Sequence, residues 1–326
     1  MQRRNRVRHI VLLITTLIFI GCNGVETQTP SSTLEVKQDI QVFSSPNKEH
    51  TITPKSIERV FERSSFKVDG NNNMNRPFSM RFQETYYKTY HLAMFFHREL
   101  SFRLLKKYPK FGVLIPLTMS IWEDEKGNMN ISTLSLEGMS RATQIPIDDV
   151  DLVEYASLLQ EVLQKAMPNG KMKQLSYTPA KPSESFQIHL TQAVDFEDGS
   201  AEDFIDDYEA EFEGEMETKG FLFPNFTNVA QELFKDHNYT NVYDFYHTYS
   251  ICKFEVIFPV SKKHPEAGAW APCSFYIYKK VDEEKMHIGF LGVENWISSL
   301  DIEDNESIEP LYEAQQNIIE IIKGME

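Results

Sequence analysis

Short stretches of this 326-residue chain return in the same order about 157 positions further on. Tyr87-Lys88-Thr89-Tyr90 recurs as Tyr246-His247-Thr248-Tyr249 at an offset of 159. Lys106-Lys107-Tyr108-Pro109 recurs as Lys262-Lys263-His264-Pro265 at an offset of 156, which also relates Pro116 to Pro272. Met129-Asn130-Ile131, Leu134 and Glu137 match Met286-His287-Ile288, Leu291 and Glu294 at 157, and upstream Phe66 matches Phe221. Chance supplies one such tetrapeptide, not an ordered series whose offsets differ by loop-sized amounts. A period this long lies far beyond solenoid units of roughly 20–50 residues, so the pattern predicts a doubled domain and excludes a repeat array.

Each half reads as the same succession of elements. A strand opens it, over 34–43 and again over 185–191, where Phe186, Ile188 and Leu190 alternate with polar residues. A helix follows, over 54–63 in the first half; in the second, Phe204, Tyr208, Phe212 and Met216 recur every four residues. Three strand-like runs come next, at 86–96, 117–123 and 128–136, then at 248–258, 274–280 and 286–293. Charged turns join the last two of each set, a hairpin signal. A helix with an apolar stripe closes each half, over 148–167 and 308–322. This layout is α+β, a small antiparallel sheet with helices packed on one face, occurring twice in tandem. Lys171 to Glu184, with Pro179 and Pro182, reads as the linker, so the expected domains are 34–170 and 185–326.

The hairpin from Pro116 to Gly127, the strand from Met129 to Leu136 and the Lys106-Lys107-Tyr108-Pro109 run resemble a widespread prokaryotic family, domain of unknown function 302, with the TT1751-like fold. Pro272-Cys273-Ser274-Phe275-Tyr276-Ile277-Tyr278 resembles it again. The likeness implies an α+β domain found as a homodimer or in tandem. It carries over no activity and no functional residues. It also implies that the two copies pack as an intramolecular pseudo-dimer in a monomeric chain, each covering the apolar face or edge that a sheet of few strands leaves open.

The N-terminus carries an address. Arg3, Arg4, Arg6 and Arg8 precede an apolar run from Ile10 to Ile20, and Phe19-Ile20-Gly21-Cys22 follows. A basic region, a short apolar region and a small residue before the cut describe a secretory signal over 1–21. The segment resembles the lipobox of bacterial lipoproteins, which implies lipidation on Cys22. Two acyl chains give stable membrane attachment, where one is marginal. Residues 22–33 read as a polar tether, with Pro30 and no apolar period. The expected location is a bacterial cell envelope, anchored in the outer membrane or a periplasm-facing leaflet. No run reaches the roughly 20 apolar residues of a spanning helix.

Net charge narrows the partners. The chain carries −15, and −19 once the four leader arginines are removed, which opposes nucleic-acid phosphates. Twelve acids and no base lie between Asp195 and Glu217; aromatic residues interrupt them at helical spacing, so a solvated helix face is expected, open to a cationic partner.

Beyond Cys22, the only cysteines are Cys252 and Cys273, candidates for a disulfide in an oxidising envelope or for two buried thiols. Tyr87, Tyr90, Tyr246 and Tyr249 concentrate at the first long strand of each half, and are read as packing or as a small-ligand groove between the halves. His91, His97, His247, His264 and His287 lack metal-ligand spacing, so no metal is expected. No catalytic or cofactor-binding signature occurs in the chain. The expectation is a binding or scaffold module with an unknown protein or small-molecule partner. The alternative is a small-molecule-binding protein or enzyme with its site between the repeats.

Overall fold

A computed structural model describes residues 37–176, 179, 186–194, 196 and 200–325. The signal, Cys22 and the tether lie outside these residues, as does most of the expected linker. The described residues form one compact unit.

The first half runs β1 (Ile40–Pro46), α1 (Pro54–Arg63), β2 (Phe66–Asn73), α2 (Asn75–Phe82), β3 (Tyr90–His97), α3 (Arg98–Lys107), β4 (Leu117–Glu123), β5 (Asn128–Leu134), α4 (Leu136–Thr143), α5 (Val150–Ala166) and β6 (Lys171–Lys173). The second runs β7 (Gln187–Ala193), α6 (Ala201–Thr218), β8 (Leu222–Asn228), β9 (Tyr243–Cys252), α7 (Phe254–Lys263), β10 (Cys273–Lys280), β11 (Lys285–Leu291), α8 (Glu294–Leu300) and α9 (Asn305–Gly324). The sheets have orders β2-β3-β4-β5-β1-β6 and β8-β9-β10-β11-β7, so they match strand for strand apart from the extra edge β6.

Register makes the match quantitative. Tyr90 faces Trp122 across β3 and β4, and Tyr246 faces Tyr278 across β9 and β10, each pair shifted by 156. Ile121 faces Ile131, and Ile277 faces Ile288, so the hairpin adds one residue and the offset becomes 157. Both X-Pro bonds at Pro116 and Pro272 are cis. The ladder therefore pairs Tyr90 with Tyr246, correcting the offset of 159 suggested by the Tyr-x-x-Tyr motif. That motif matches itself when slid by three residues; a hydrogen-bonded ladder does not.

Local chemistry explains the helices that were legible. Asp149 caps α5 by accepting from the Asp151 and Leu152 amides, and Leu152, Tyr155, Leu159, Val162 and Leu163 bury one stripe of it. Asp304 caps α9 in the same way through Ser307. The strand expected over 248–258 stops at Cys252 instead, and 254–263 is α7, burying Val256, Ile257 and Val260 at helical spacing. Its counterpart α3 buries Leu100, Leu104 and Leu105. The sheet also reaches into the expected linker, because Lys171–Lys173 pairs with β1.

Each sheet gives one face to its own helices. Phe61 of α1 meets Phe95 of β3 at 4.9 Å, and Phe212 of α6 stacks on Phe275 of β10 at 4.9 Å. The other face is polar and meets the opposite half. There Ser120 donates to the Pro265 carbonyl at 2.7 Å, Ser132 to that of Glu266 at 2.8 Å and Thr118 to that of Ala269 at 2.9 Å. In return Ser274 donates to the Pro116 carbonyl at 2.7 Å. Tyr90 donates to Pro265 at 3.2 Å and Tyr246 to Pro109 at 2.5 Å, equivalent residues contacting each other's partners. That reciprocity defines an isologous, two-fold-like interface within one chain. Both hydroxyls are fully buried, so Tyr246→Phe strands the Pro109 carbonyl and is expected to cost about 1–2 kcal/mol in urea unfolding. No loss would remove this bond from the clamp.

Candidate functional site

The two inner sheet faces differ at one row. In the first half the row across β4, β5 and β1 is Ser120, Ser132 and Val42. In the second, β10, β11 and β7 present Tyr276, Gly289 and His189. A Cβ on Gly289 would come within 2.4 Å of the Tyr276 Cζ and Oη, so only glycine lets the ring lie flat across the middle strand. The fully buried Tyr276 hydroxyl thereby reaches His189 Nδ1 at 2.8 Å.

The next row extends the chain of contacts. His287 Nδ1 lies 3.3 Å from His189 Nε2, and His287 Nε2 hydrogen-bonds the Glu283 carboxylate. Tyr278 stacks on the His287 ring at 4.7 Å and 19°. The first half covers part of this row: a Cβ on Gly112 would sit 2.2 Å from the Tyr246 hydroxyl and 3.1 Å from the Tyr276 Cβ. His189 and His287 remain half-buried at the rim.

Burial and neighbouring charge shift three members of the row. Burial pushes His189 down to about 4, and Lys110, His287 and Lys285 add to the effect, so it is neutral at pH 7. Burial, then Tyr278, raises Tyr276 well above an ordinary phenol. The hydrogen bond from His287 lowers Glu283, with Lys280 assisting against a smaller opposing effect of burial. The row is thus a phenol and a neutral imidazole leading, through His287, to a carboxylate. It offers donors and ring lone pairs, and His189 is too weak a base to take up a proton near neutrality.

Of the residues singled out from sequence, His287 belongs to this row. His189 was missed, although its strand alternates and Gly289 breaks the facing one, a mark of close approach. The four tyrosines do not converge. Tyr87, Tyr90 and Tyr246 lie at the contact between halves, with Tyr87 donating to the Ser261 carbonyl at 3.1 Å, whereas Tyr249 turns to the opposite face beneath Phe212. Strand parity decides this, since residues three apart point to opposite faces.

Three of the other histidines singled out have local partners. His91 meets Asn71 at 2.9 Å, His97 caps α3 by accepting from the Leu100 amide, and His247 meets Glu209 at 2.7 Å under α6. The described part of the acidic run is α6, with Glu209 turned inward and most of its other acids exposed. Among the described residues no three His, Cys, Asp or Glu side chains form a group able to hold a metal.

Cys252 and Cys273 are free thiols. Cys273 faces Ile251 across the ladder, so the cysteines are one residue out of register. Both line an apolar cavity of about 50 Å³ with Trp296, Leu311 and Ile318. Burial pushes each thiol up to about 12. No helix among the described residues is long and apolar enough to cross a membrane.

Comparison with known proteins gives a family for part of the chain. Residues 42–167 match the domain of unknown function DUF302. Among solved structures, the crystal structure of an uncharacterized conserved DUF302 protein from Bacillus stearothermophilus matches with 10% identity and a TM-score of 0.35, over 44% of this chain and 100% of that one. No curated protein matches.

Proposed function

Starting from the DUF302 domain at residues 42–167, we propose that the second half is a diverged copy of it and that the two act as one lipid-anchored binding module on a bacterial cell envelope. The observation that carries this reading is the reciprocal clamp. Equivalent tyrosines bond equivalent prolines across it, so the polar face of each half is satisfied within one chain. Matching strand orders and ladder offsets support the duplication. The second half departs from its counterpart at the Tyr276–Gly289–His189 row, which makes that rim the binding face for a protein or small molecule.

Support for the anchor comes from the basic leader, the apolar run and Gly21-Cys22. Two acyl chains provide stable attachment, and a strongly acidic body stands clear of anionic headgroups. The test is fractionation after labelling with palmitate. The natural chain is expected in the membrane fraction and labelled; Cys22→Ser is expected unlabelled and released. An unchanged membrane fraction overturns the anchor. For the binding face, Gly289→Ala displaces Tyr276, and native mass measurement of chains purified from membranes is expected to show a bound mass lost from this variant. No bound mass, or equal retention, removes the row from the reading.

A further inference from the structure

We propose that the outer edge of β7 is a docking site for an extended peptide strand of a partner protein, added to the second sheet as β6 is added to the first. The claim rests on the reading of this rim as the binding face, names its occupant and does not depend on the anchor.

The pairing of the two sheets is the first support. They match strand for strand, except that β6 covers β1 while β7 has no further strand among the described residues. Ile131 and Ile288 are equivalent and face Phe43 and Leu190, so Val42, Phe43 and Ser44 correspond to His189, Leu190 and Thr191. Against Val42, Phe43 and Ser44 the first half sets Lys173, Met172 and Lys171 of β6. The second half has the same platform with its edge uncovered by any described strand.

Backbone direction is the second. The Gly292 amide donates to the Phe186 carbonyl at 2.8 Å, and the Val194 amide donates to the Glu284 carbonyl at 3.0 Å. Even-numbered residues of β7 therefore bond towards β11. In an antiparallel ladder the alternate residues turn both backbone groups the other way, so the amides and carbonyls of His189 and Thr191 face the open edge. In the first half the Asp39 carbonyl and the Asn47 amide bond towards β5, which sends Val42 and Ser44 to β6. The backbone groups that hold β6 in one half are thus presented again in the other.

The composition of the edges is the third. Sheet edges that stay unpaired carry charges, prolines or bulges that prevent strand addition. β8 has Pro224, β6 has the exposed Lys171 and Lys173, and β2 has Lys67, Asp69 and a register shift between Val68 and Gly70. β7 has no charged residue, no proline and an unbroken register over its 7 residues. Side chains define the occupant. Phe43 is buried beside Met172, whereas its equivalent Leu190 is half-buried, so the residue opposite Leu190 is apolar. Its two neighbours, opposite His189 and Thr191, are polar as Lys171 and Lys173 are. Main-chain bonds give such a complex affinity, and alternate side chains give it specificity. A second copy of the chain fits less well, because it brings two bodies of net charge −15 edge to edge.

The test uses the full chain and, as the probe strand, a synthetic peptide of its own residues 169–175 (NGKMKQL), read by hydrogen exchange of backbone amides. In the free chain the Val42 and Ser44 amides are expected to be protected and those of His189 and Thr191 to exchange freely. Millimolar peptide is expected to slow exchange at His189 and Thr191 by about tenfold or more. The same peptide N-methylated at its two lysines keeps every side chain, loses the donors and is expected to give no protection. Thr191→Pro removes an outward N–H, leaves the bonds to β11 in place and is expected to weaken binding about tenfold. Far-ultraviolet dichroism reports whether that variant folds, and the N-methylated peptide tests the claim on the natural chain in either case. Unchanged exchange at His189 and Thr191, or equal slowing by the N-methylated peptide, overturns the strand. Slow exchange at both amides in the free chain also overturns it, a dimeric mass then assigning the edge to a second copy and a monomeric mass to the chain itself. A bound mass lost from Gly289→Ala without any peptide effect keeps the rim as a binding face and removes only the strand.

Discussion

Gly268→Ala lowers the stability of the folded chain by about 3 kcal/mol, read as a shift of the urea midpoint at unchanged slope. Gly268 lies on the segment of the second half that rests on the first half's sheet. A Cβ there would come within 2.5 Å of the Ser120 Cβ, 2.6 Å of a Leu92 methyl and 2.9 Å of the Ser120 Cα. The Leu92 methyl can swing aside. Ser120 cannot, because it belongs to β4 and its hydroxyl already donates to the Pro265 carbonyl at 2.7 Å. Relief requires the segment to lift, which stretches the bonds to Pro265, Glu266 and Ala269 together. Overpacking a well-filled site costs about 1–3 kcal/mol, and each weakened hydrogen bond about 1 kcal/mol. Gly214 in α6 provides the contrast: nothing stands within 4 Å of its Cβ position. Alanine there is expected to stabilise by roughly 0.5–1 kcal/mol. An unchanged midpoint in Gly268→Ala would mean that the two halves do not pack through this segment.

The second large effect concerns the thiols. Both Cys252 and Cys273 are held near 12 by burial against apolar neighbours, Leu311 and Ile318 among them, which outweighs the lowering effect of the Trp296 hydrogen bond on Cys273. The thiolate is the reacting species, and an ordinary cysteine at pH 8 carries a substantial fraction of it. From about 9 to about 12, that fraction falls on the order of a thousandfold at pH 8. Iodoacetamide is therefore expected to leave both residues unmodified in the folded chain over hours and to alkylate both within minutes in 6–8 M urea. In the folded chain the residual rate should rise about tenfold per pH unit until unfolding intervenes. Rapid labelling of either thiol at pH 8, without loss of native dichroism, would contradict the buried apolar setting.

Much of the architecture was legible because periodicity survives divergence. The stripe on α5 and the hairpins announce themselves locally, since each depends on neighbours within a turn or two. The strands β2 and β8 did not. Phe66–Asn73 is largely polar, and it is a strand only because β3 offers it a ladder. The same holds for Lys171–Lys173, which lies in a stretch that reads as linker but pairs with β1. α7 was hidden for the opposite reason: its apolar residues continue those of β9, and only packing chooses where period two gives way to period 3.6.

The candidate site was legible only in fragments. His287 was visible as one histidine among several, and its row partners lie on strands far apart in sequence. No local rule links His189, Gly289 and Tyr276; the pairing of three strands puts them in one line.

By itself, the order of residues determined that the chain carries a doubled pattern of motifs, a basic and then apolar run before Gly21-Cys22 and an acidic stretch with aromatic residues at helical spacing, because these are properties of spacing and composition. Tertiary structure alone decided which face each side chain occupies and which residues meet. A strand's pleat assigns faces by parity, and a partner strand far along the chain fixes the register. That is why Tyr249 turns away from the contact between halves while His189, from an unremarkable stretch, stands against Tyr276 and His287.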